Sequence, residues 1–149
     1  MIKTKLSELN FNLWGLMGQV NHAILLTRQK ELNQYEIPVR QYELLRQIQA
    51  LGNKATLVQV AKRVQREVHV VSRQTVNLEK EGLIKRTKST RKSTLLTLEI
   101  TEKGFDIINI ARHSESINEI FSCLLPEDRK QLESLLNRIL DNAKKYNRE

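Results

Sequence analysis

The segment VSRQTVNLEKEGLIKR, residues 71–86, constrains the fold of this chain more than any other stretch. Together with Val68 just before it, the segment has residues at three- and four-residue spacing, which places them on one narrow face of an α-helix. That face holds Val68, Val71, Thr75 and Leu78. Gly82 follows, and glycine favours the left-handed conformation that closes many helices. The pattern therefore predicts an amphipathic helix over residues 68–81 that ends at a tight turn.

The periodicity changes after this turn from helical to alternating. Residues 94–100 read TLLTLEI, with leucine and isoleucine at every second position, which predicts a β-strand. Residues 83–87 supply an antiparallel partner for it. Between them lies KSTRKS, residues 88–93, a polar loop that contains basic residues and no acid. A basic β-hairpin is thus predicted directly after the amphipathic helix.

Two helices are predicted before this segment. One begins at Pro38, whose missing N–H is tolerated in a first helical turn, and stops at Gly52. The next begins at Thr56, because TLVQ has the Thr-x-x-Gln form of a capping box. Its apolar residues then fall at helical offsets. The predicted order of elements is a short helix, a turn, a second helix and a basic hairpin. This is the order found in a winged helix-turn-helix.

The flanking regions predict further helices. Residues 7–32 carry an apolar stripe with Ser7 as N-cap, residues 102–124 read as one helix capped by Thr101, and Pro126 opens a last helix. The predicted fold class is mainly α with a small β-hairpin wing. Three parts are expected within one intertwined unit: an N-terminal dimerisation helix at 1–36, a winged helix-turn-helix at 37–101, and C-terminal dimerisation helices at 102–149.

The positive charge of the chain is concentrated in the predicted winged helix. Lys54 to Lys92 contains 11 basic and 3 acidic residues, a net charge of +8, and the rest of the chain holds 14 of each sign. The whole excess of +8 therefore lies in this internal segment. A local excess of this kind is the electrostatic footprint of a polyanion-binding surface. A solvated basic surface that only maintains solubility is the alternative.

Specific DNA-contact residues follow from the helical geometry. A major groove accepts one α-helix, and a helix in that position must present a polar face to the base edges and phosphates. On the predicted helix 68–81 that face holds His69, Ser72, Arg73, Val76, Asn77 and Lys80. Arg73 is suited to donate two hydrogen bonds to guanine O6 and N7. On the hairpin, the predicted contacts to the backbone or minor groove are Arg86, Lys88, Arg91 and Lys92.

The terminal helices predict a homodimer. Their apolar stripes bracket the basic centre, and together they carry no net charge. A two-fold dimer would present two reading helices about 34 Å apart, so that they meet successive major grooves of a palindromic operator. The predicted interface residues are Leu9, Leu13, Leu16, Ile120, Leu124, Leu132, Leu136 and Ile139.

Several other classes of protein are disfavoured by the sequence. The three histidines are far apart and there is one cysteine, so no metal-ligand spacing is present; we expect no metal and no cofactor. No Gly-rich phosphate loop and no catalytic grouping is found, which disfavours an enzyme. No signal peptide and no long apolar run is seen, so a cytoplasmic protein without a membrane partner is expected. Cys123 lies between apolar residues and is predicted to be a packed, unreactive thiol.

The segment 71–86, the preceding ATLVQVAKRV and the following LTLEITEKG give the chain a family resemblance. It resembles the MarR-type (multiple antibiotic resistance regulator) transcription regulators over roughly residues 10–147. The resemblance implies that helix 68–81 is the recognition helix, that residues 84–100 form the wing, and that the first and last two helices dimerise. It also implies that a small aromatic effector binds where these parts meet. Trp14 and Met17 are candidates to line that pocket, with ordinary core packing as the alternative.

The wing departs from this family in one respect. MarR-type wings usually carry Asp-x-Arg, in which the acid braces an arginine; the matching positions here are Lys92 and Thr94. The functional expectation is a sequence-specific, homodimeric DNA-binding repressor, released by an effector. A protein–protein interaction module built on a winged helix and a non-specific architectural DNA-binding protein are the alternatives.

Overall fold

The computed structural model of the chain describes residues 2–89 and 95–147, and these divide into two units between Ser114 and Glu115. The first unit holds five of the described helices and all three described strands. In chain order they are α1 (Ile2–Leu32), α2 (Val39–Ala50), β1 (Lys54–Thr56), α3 (Leu57–Val64), α4 (Val68–Lys80), β2 (Ile84–Lys88), β3 (Leu96–Ile100) and α5 (Glu102–Arg112). A single turn of 3-10 helix, Asn33–Tyr35, links α1 to α2. The second unit consists of α6 (Glu115–Phe121) and α7 (Pro126–Tyr146). The mainly helical fold class is confirmed.

The strands form one antiparallel sheet in the order β1-β3-β2. β2 and β3 form the predicted hairpin, with Arg86 opposite Leu98. β1 was not predicted; it pairs with the other edge of β3, and Ala55 lies opposite Leu98. Three residues are too few to show an alternating pattern, and β1 is a strand only because β3 supplies its hydrogen-bond partners. The sheet joins the start of α3 to the hairpin and so fixes the wing to the helix-turn-helix.

The core of the first unit is formed by α2, α3, α4, the sheet and α5. Leu32, at the end of α1, also contributes to it. The most enclosed apolar side chains of this core are Leu32, Leu45, Ile48, Val60, Val71, Leu78, Ile84, Leu98 and Ile108. Each such side chain contributes about 1.5–3 kcal/mol to folding through removal from water. Val71 and Leu78 come from the predicted inner face of α4, which is therefore held on the unit by its apolar side.

Two predicted helix starts are confirmed at the level of single hydrogen bonds. The Thr56 hydroxyl accepts from the Gln59 N–H (3.1 Å) and the Gln59 side chain accepts from the Thr56 N–H (2.8 Å), which is the predicted capping box. Thr101 caps α5, its hydroxyl accepting from the Gly104 N–H at 3.1 Å. These caps satisfy N–H groups that the first turn of a helix leaves without intrahelical partners.

Two predicted helix boundaries are wrong. α1 begins at Ile2 rather than at a cap on Ser7. The predicted continuous helix 102–124 is divided, because α5 ends at Arg112 and the backbone of His113 is extended. The physical reason lies in contacts distant in sequence: the buried Arg28 donates to the carbonyl of Ala111, and the Ser114 hydroxyl donates to Glu31 at 2.5 Å. No glycine or proline marks this break, so the local sequence gave no signal of it.

Candidate nucleic-acid interface

The outward face of α4 carries the polar residues predicted to meet DNA. His69, Arg73, Asn77 and Lys80 are exposed, and Ser72 and Val76 are half-buried at the margins of that face. The opposite face is closed, since Val71, Thr75 and Leu78 are fully buried. Thr75, the one polar member of that buried face, donates its hydroxyl to the Ser72 carbonyl at 2.8 Å. α4 therefore has the two-sided character that a helix needs to lie in a groove while it is anchored to a core.

The C-terminal end of α4 is fixed to the start of α5. Gly82 adopts the predicted left-handed conformation, with φ of 73°. Its carbonyl accepts from the Thr101 hydroxyl at 2.6 Å, and the Glu81 carbonyl accepts from the Lys103 ammonium at 2.7 Å. These bonds satisfy carbonyls that a helix end leaves free. The orientation of α4 is thus set by the neighbouring element as well as by its own apolar face.

The wing residues fall into three groups. Lys88 is exposed at the end of β2. Arg86 is half-buried and directed back towards α4, where its Nη2 donates to the Ser72 hydroxyl at 3.2 Å. Arg91 and Lys92 lie outside the described residues, as does Thr94. Of the predicted wing contacts, Lys88 therefore has the exposure that a phosphate contact needs, and Arg86 has an intramolecular partner.

Further basic residues of the helix-turn-helix contribute to the charge of the segment, although the sequence pattern assigns them no individual role. Lys62 and Arg63, in the last turn of α3, are exposed. The Nε of Arg63 donates to Oε1 of Gln47 in α2 at 2.7 Å. Arg66 lies in the turn before α4, and its Nη1 donates to Oε1 of Gln74 at 3.4 Å. Lys62 and Arg63 thus precede the turn that leads into α4, and Arg66 lies within it. The clustering of charge was the sequence signal that pointed to them.

The residues predicted for dimerisation lie uncovered within each unit. Leu9, Leu13 and Leu16 on α1 are 50–55% exposed, and Leu132, Leu136 and Ile139 on α7 are 37–51% exposed. Ile120 and Leu124 are half-buried in the second unit. Apolar side chains in continuous exposed stripes are typical of an interaction surface.

The candidate pocket residues are also exposed. Trp14 is 71% and Met17 is 40% exposed, and the Trp14 ring lies against Phe11, with ring centroids 6.3 Å apart. Core packing of these two side chains within the chain, the alternative interpretation, is therefore wrong. The prediction that Cys123 is a packed thiol is wrong as well, since its side chain is exposed in the turn after α6.

The described part of the chain shows neither a metal site nor a membrane-spanning helix. Within residues 2–89 and 95–147, no cluster of three His, Cys, Asp or Glu side chains has the geometry of a metal site. In the same residues, none of the helices combines the length and apolarity needed to cross a membrane.

Comparison with known proteins supports the fold assignment. The family model HVO_A0114 matches residues 37–98, from the residue before Pro38 to the middle of β3. A search of curated proteins finds no match. Among solved structures, the organohalide-sensing transcriptional regulator RdhR with bound 2,4-dichlorophenol is 25% identical, with a TM-score of 0.81 over 90% of this chain and 80% of that one.

Two DNA complexes have similar folds. MepR from S. aureus, solved in complex with DNA, is 23% identical, with a TM-score of 0.75 over 86% of this chain and 95% of its own. A Cys-to-Ser variant of MarR from E. coli, solved with operator DNA, is 20% identical, with a TM-score of 0.79 over 87% of this chain and 94% of its own.

The helix-turn-helix, the adjoining hairpin and the three-stranded sheet define a winged-helix protein. Within that class the chain shares its fold with RdhR, MepR and MarR over most of its length.

Proposed function

We propose that this chain is a sequence-specific, double-stranded DNA-binding transcription regulator. The observation that carries the proposal is the exposed polar face of α4, with Arg73 and Asn77 at its centre, on a helix whose other face is buried. The exposed Lys88 of the wing lies two residues beyond Arg86, within the segment that holds the whole net charge of +8. A helix of this kind reads bases in a major groove, while basic residues beside it neutralise phosphates.

The proposed working form is a homodimer. The stripes on α1 and α7 leave many apolar side chains exposed to water, and burial of each exposed leucine would contribute up to about 1.5–3 kcal/mol. A second copy of the chain offers the same stripes and would cover them under two-fold symmetry. Such a dimer binds a palindromic operator, with the division 1–36, 37–101 and 102–149 separating dimerisation from DNA binding.

The proposed mode of action is repression in the cytoplasm by occupancy of a promoter. A small aromatic effector would release the dimer by binding better to a form whose reading helices do not fit the operator. RdhR was solved with a chlorinated phenol, and Trp14 and Met17 supply exposed apolar surface on α1 for a ligand of that class. The proposal involves no cofactor, metal, catalytic step or membrane partner.

Titration of labelled genomic fragments with the full-length protein, followed by fluorescence anisotropy, tests the DNA-binding function. We expect selective binding of a few fragments and a log Kd that varies linearly with log salt concentration, with a slope set by several phosphates. Equal affinity for every fragment would favour an architectural DNA-binding protein. No binding even at low salt would favour a protein–protein module.

Arg73→Ala tests the reading of bases. We expect a loss of about 1–3 kcal/mol in binding to the preferred site and relaxed selectivity at one base pair, because one bidentate contact to a base is removed. Lys88→Ala is the control: it should weaken binding evenly over all sequences and reduce the salt slope by about 1. Competition with a library of single-base-pair variants of the site measures both. An even loss for Arg73→Ala across that library would remove Arg73 from the base-reading role.

A further inference from the structure

Arg86 connects the wing to the recognition helix α4 through two hydrogen bonds. Its backbone N–H donates to Oε2 of Glu79 at 2.9 Å, and its Nη2 donates to the hydroxyl of Ser72 at 3.2 Å. Ser72 and Glu79 are seven residues apart, so they lie two turns apart on the same side of α4. One residue of β2 thereby holds α4 at two points along its length.

The Arg86 side chain is directed towards the protein. The residue is half-buried, and its Nε is a buried donor with no hydrogen-bond partner among the described residues. A buried N–H without a partner lowers the folding stability of the protein. A gain in folding stability therefore does not explain why an arginine occupies this position. Lys88, two residues further along the same strand, is exposed instead. Arg86 and Lys88 therefore occupy different environments, although both are basic residues of β2.

The bond from Arg86 also constrains what the Ser72 hydroxyl can do. A serine hydroxyl has one hydrogen to donate and two lone pairs that accept. The guanidinium occupies one lone pair and places positive charge beside the oxygen. Hydrogen bonds in a chain polarise one another, so a hydroxyl that accepts from a cation becomes a stronger donor. Ser72 precedes Arg73 on the margin of the polar face, where such a donor would meet DNA.

We propose that Arg86 is a positioning residue for the recognition helix, which acts through Ser72 and presents that hydroxyl as a hydrogen-bond donor to DNA. This inference rests on the proposed DNA-binding function. The matching chemistry on DNA is an acceptor: a phosphate oxygen, or N7 or O6 on the edge of a purine. In this proposal Arg86 itself does not contact the nucleic acid, unlike in its predicted role as a wing contact.

A double-mutant cycle on the full-length protein tests the proposal, with a duplex that carries a site selected by the wild-type protein as the probe. Arg86→Met and Ser72→Ala should each weaken binding roughly tenfold, as expected for the loss of one charge-assisted hydrogen bond. The double variant should also lose roughly tenfold rather than a hundredfold, because both changes remove the same interaction. Arg86→Met should keep the wild-type salt slope and its thermal unfolding temperature.

Lys88→Met is the matched control on the same strand. It should lower the salt slope by about 1 and its loss should multiply with that of Ser72→Ala, because it removes an independent phosphate contact. Arg86→Lys keeps the charge without the planar fork and should lose affinity like Arg86→Met. The Ser72→Ala variant identifies the acceptor on DNA. If its loss of affinity depends on the base pair at one position of the site, the acceptor is a base; if the loss is the same for every sequence, the acceptor is a phosphate.

Several results would overturn the inference while leaving the proposed function intact. They are a multiplied loss in the Arg86→Met, Ser72→Ala double variant, a reduced salt slope for Arg86→Met, or near-wild-type affinity for Arg86→Lys. Each would make Arg86 a direct contact to phosphate. Failure of the wild-type protein to select any site would instead contradict the proposed function itself.

Discussion

Replacement of Gly104 by alanine is expected to destabilise the first unit by about 3 kcal/mol or more, at the upper end of the cost of overpacking. Gly104 lies in the first turn of α5, where a Cβ would overlap the carbonyl oxygen of Leu83 and lie 2.8 Å from Cγ2 of Ile100. The obstructing oxygen belongs to the backbone of the turn between α4 and β2. It cannot rotate away as a flexible side chain would, so α5 must shift and the bonds from Thr101 and Lys103 to the end of α4 would be strained.

Gly18→Ala is the matched control for this prediction. Gly18 lies in α1 with nothing within 4 Å of an added Cβ, so the same substitution should be neutral or stabilise by about 0.5–1 kcal/mol. Urea unfolding followed by circular dichroism measures both variants. If Gly104→Ala unfolded at the wild-type urea concentration, the close contact between α5 and the turn would be refuted.

The amphipathic pattern of α4 was sufficient to predict most of the candidate interface. Helical periodicity placed Val71 and Leu78 inside and Arg73 and Asn77 outside, and the structure agrees. This worked because a single apolar stripe decides which side of a helix faces the core. Val68, predicted on the inner face, is 42% exposed because it begins α4, next to the turn from α3.

The features that sequence missed depend on partners far away along the chain. The sequence did not predict that the Arg86 guanidinium bonds to Ser72, 14 residues earlier. The end of α5 is set by Arg28, 83 residues from Ala111. β1 exists because β3 pairs with it. No local periodicity records such contacts, so a prediction based on spacing alone cannot contain them.

The acid–arginine motif expected in the wing also shows what a sequence pattern leaves out. The family resemblance expects an acid that braces an arginine at positions held here by Lys92 and Thr94. In the described part of the wing, the Glu79 carboxylate of α4 accepts from the Arg86 N–H, so an acid from the helix contacts the strand. This bond reaches the backbone of Arg86, so it holds β2 against α4 and is not an acid–arginine pair of the expected kind.

A charge placed in the apolar stripe of α7 is expected to have the largest effect on DNA binding. Leu136→Glu should give a monomer and weaken binding to a palindromic site by roughly 10²–10⁴-fold, the gain that linked binding of two half-sites provides. Leu136 is 41% exposed and lies in the stripe with Leu132 and Ile139. Two-fold symmetry places every substitution in the interface twice, and burial of unpaired carboxylates there is strongly unfavourable.

Ser134→Glu is the matched control, because it adds the same charge to the same helix away from the stripe. Ser134 is two residues before Leu136, so it lies about 200° around the helix, on its opposite side. This variant should remain a dimer and bind the site with nearly wild-type affinity. Sedimentation equilibrium gives the mass, anisotropy gives the affinity, and circular dichroism verifies that both variants remain helical.

The two measurements together distinguish dimerisation from other roles of α7. If Leu136→Glu is a monomer, α7 supplies the dimer interface. If this monomer also binds a single half-site as weakly as the full palindrome, tight binding requires two recognition helices that act together. If Leu136→Glu sediments as a dimer with wild-type affinity, the stripe on α7 is not the interface. The exposed leucines of α1 would then have to account for dimerisation, and Leu13→Glu, on a residue that is 50% exposed, would be the variant to lose it.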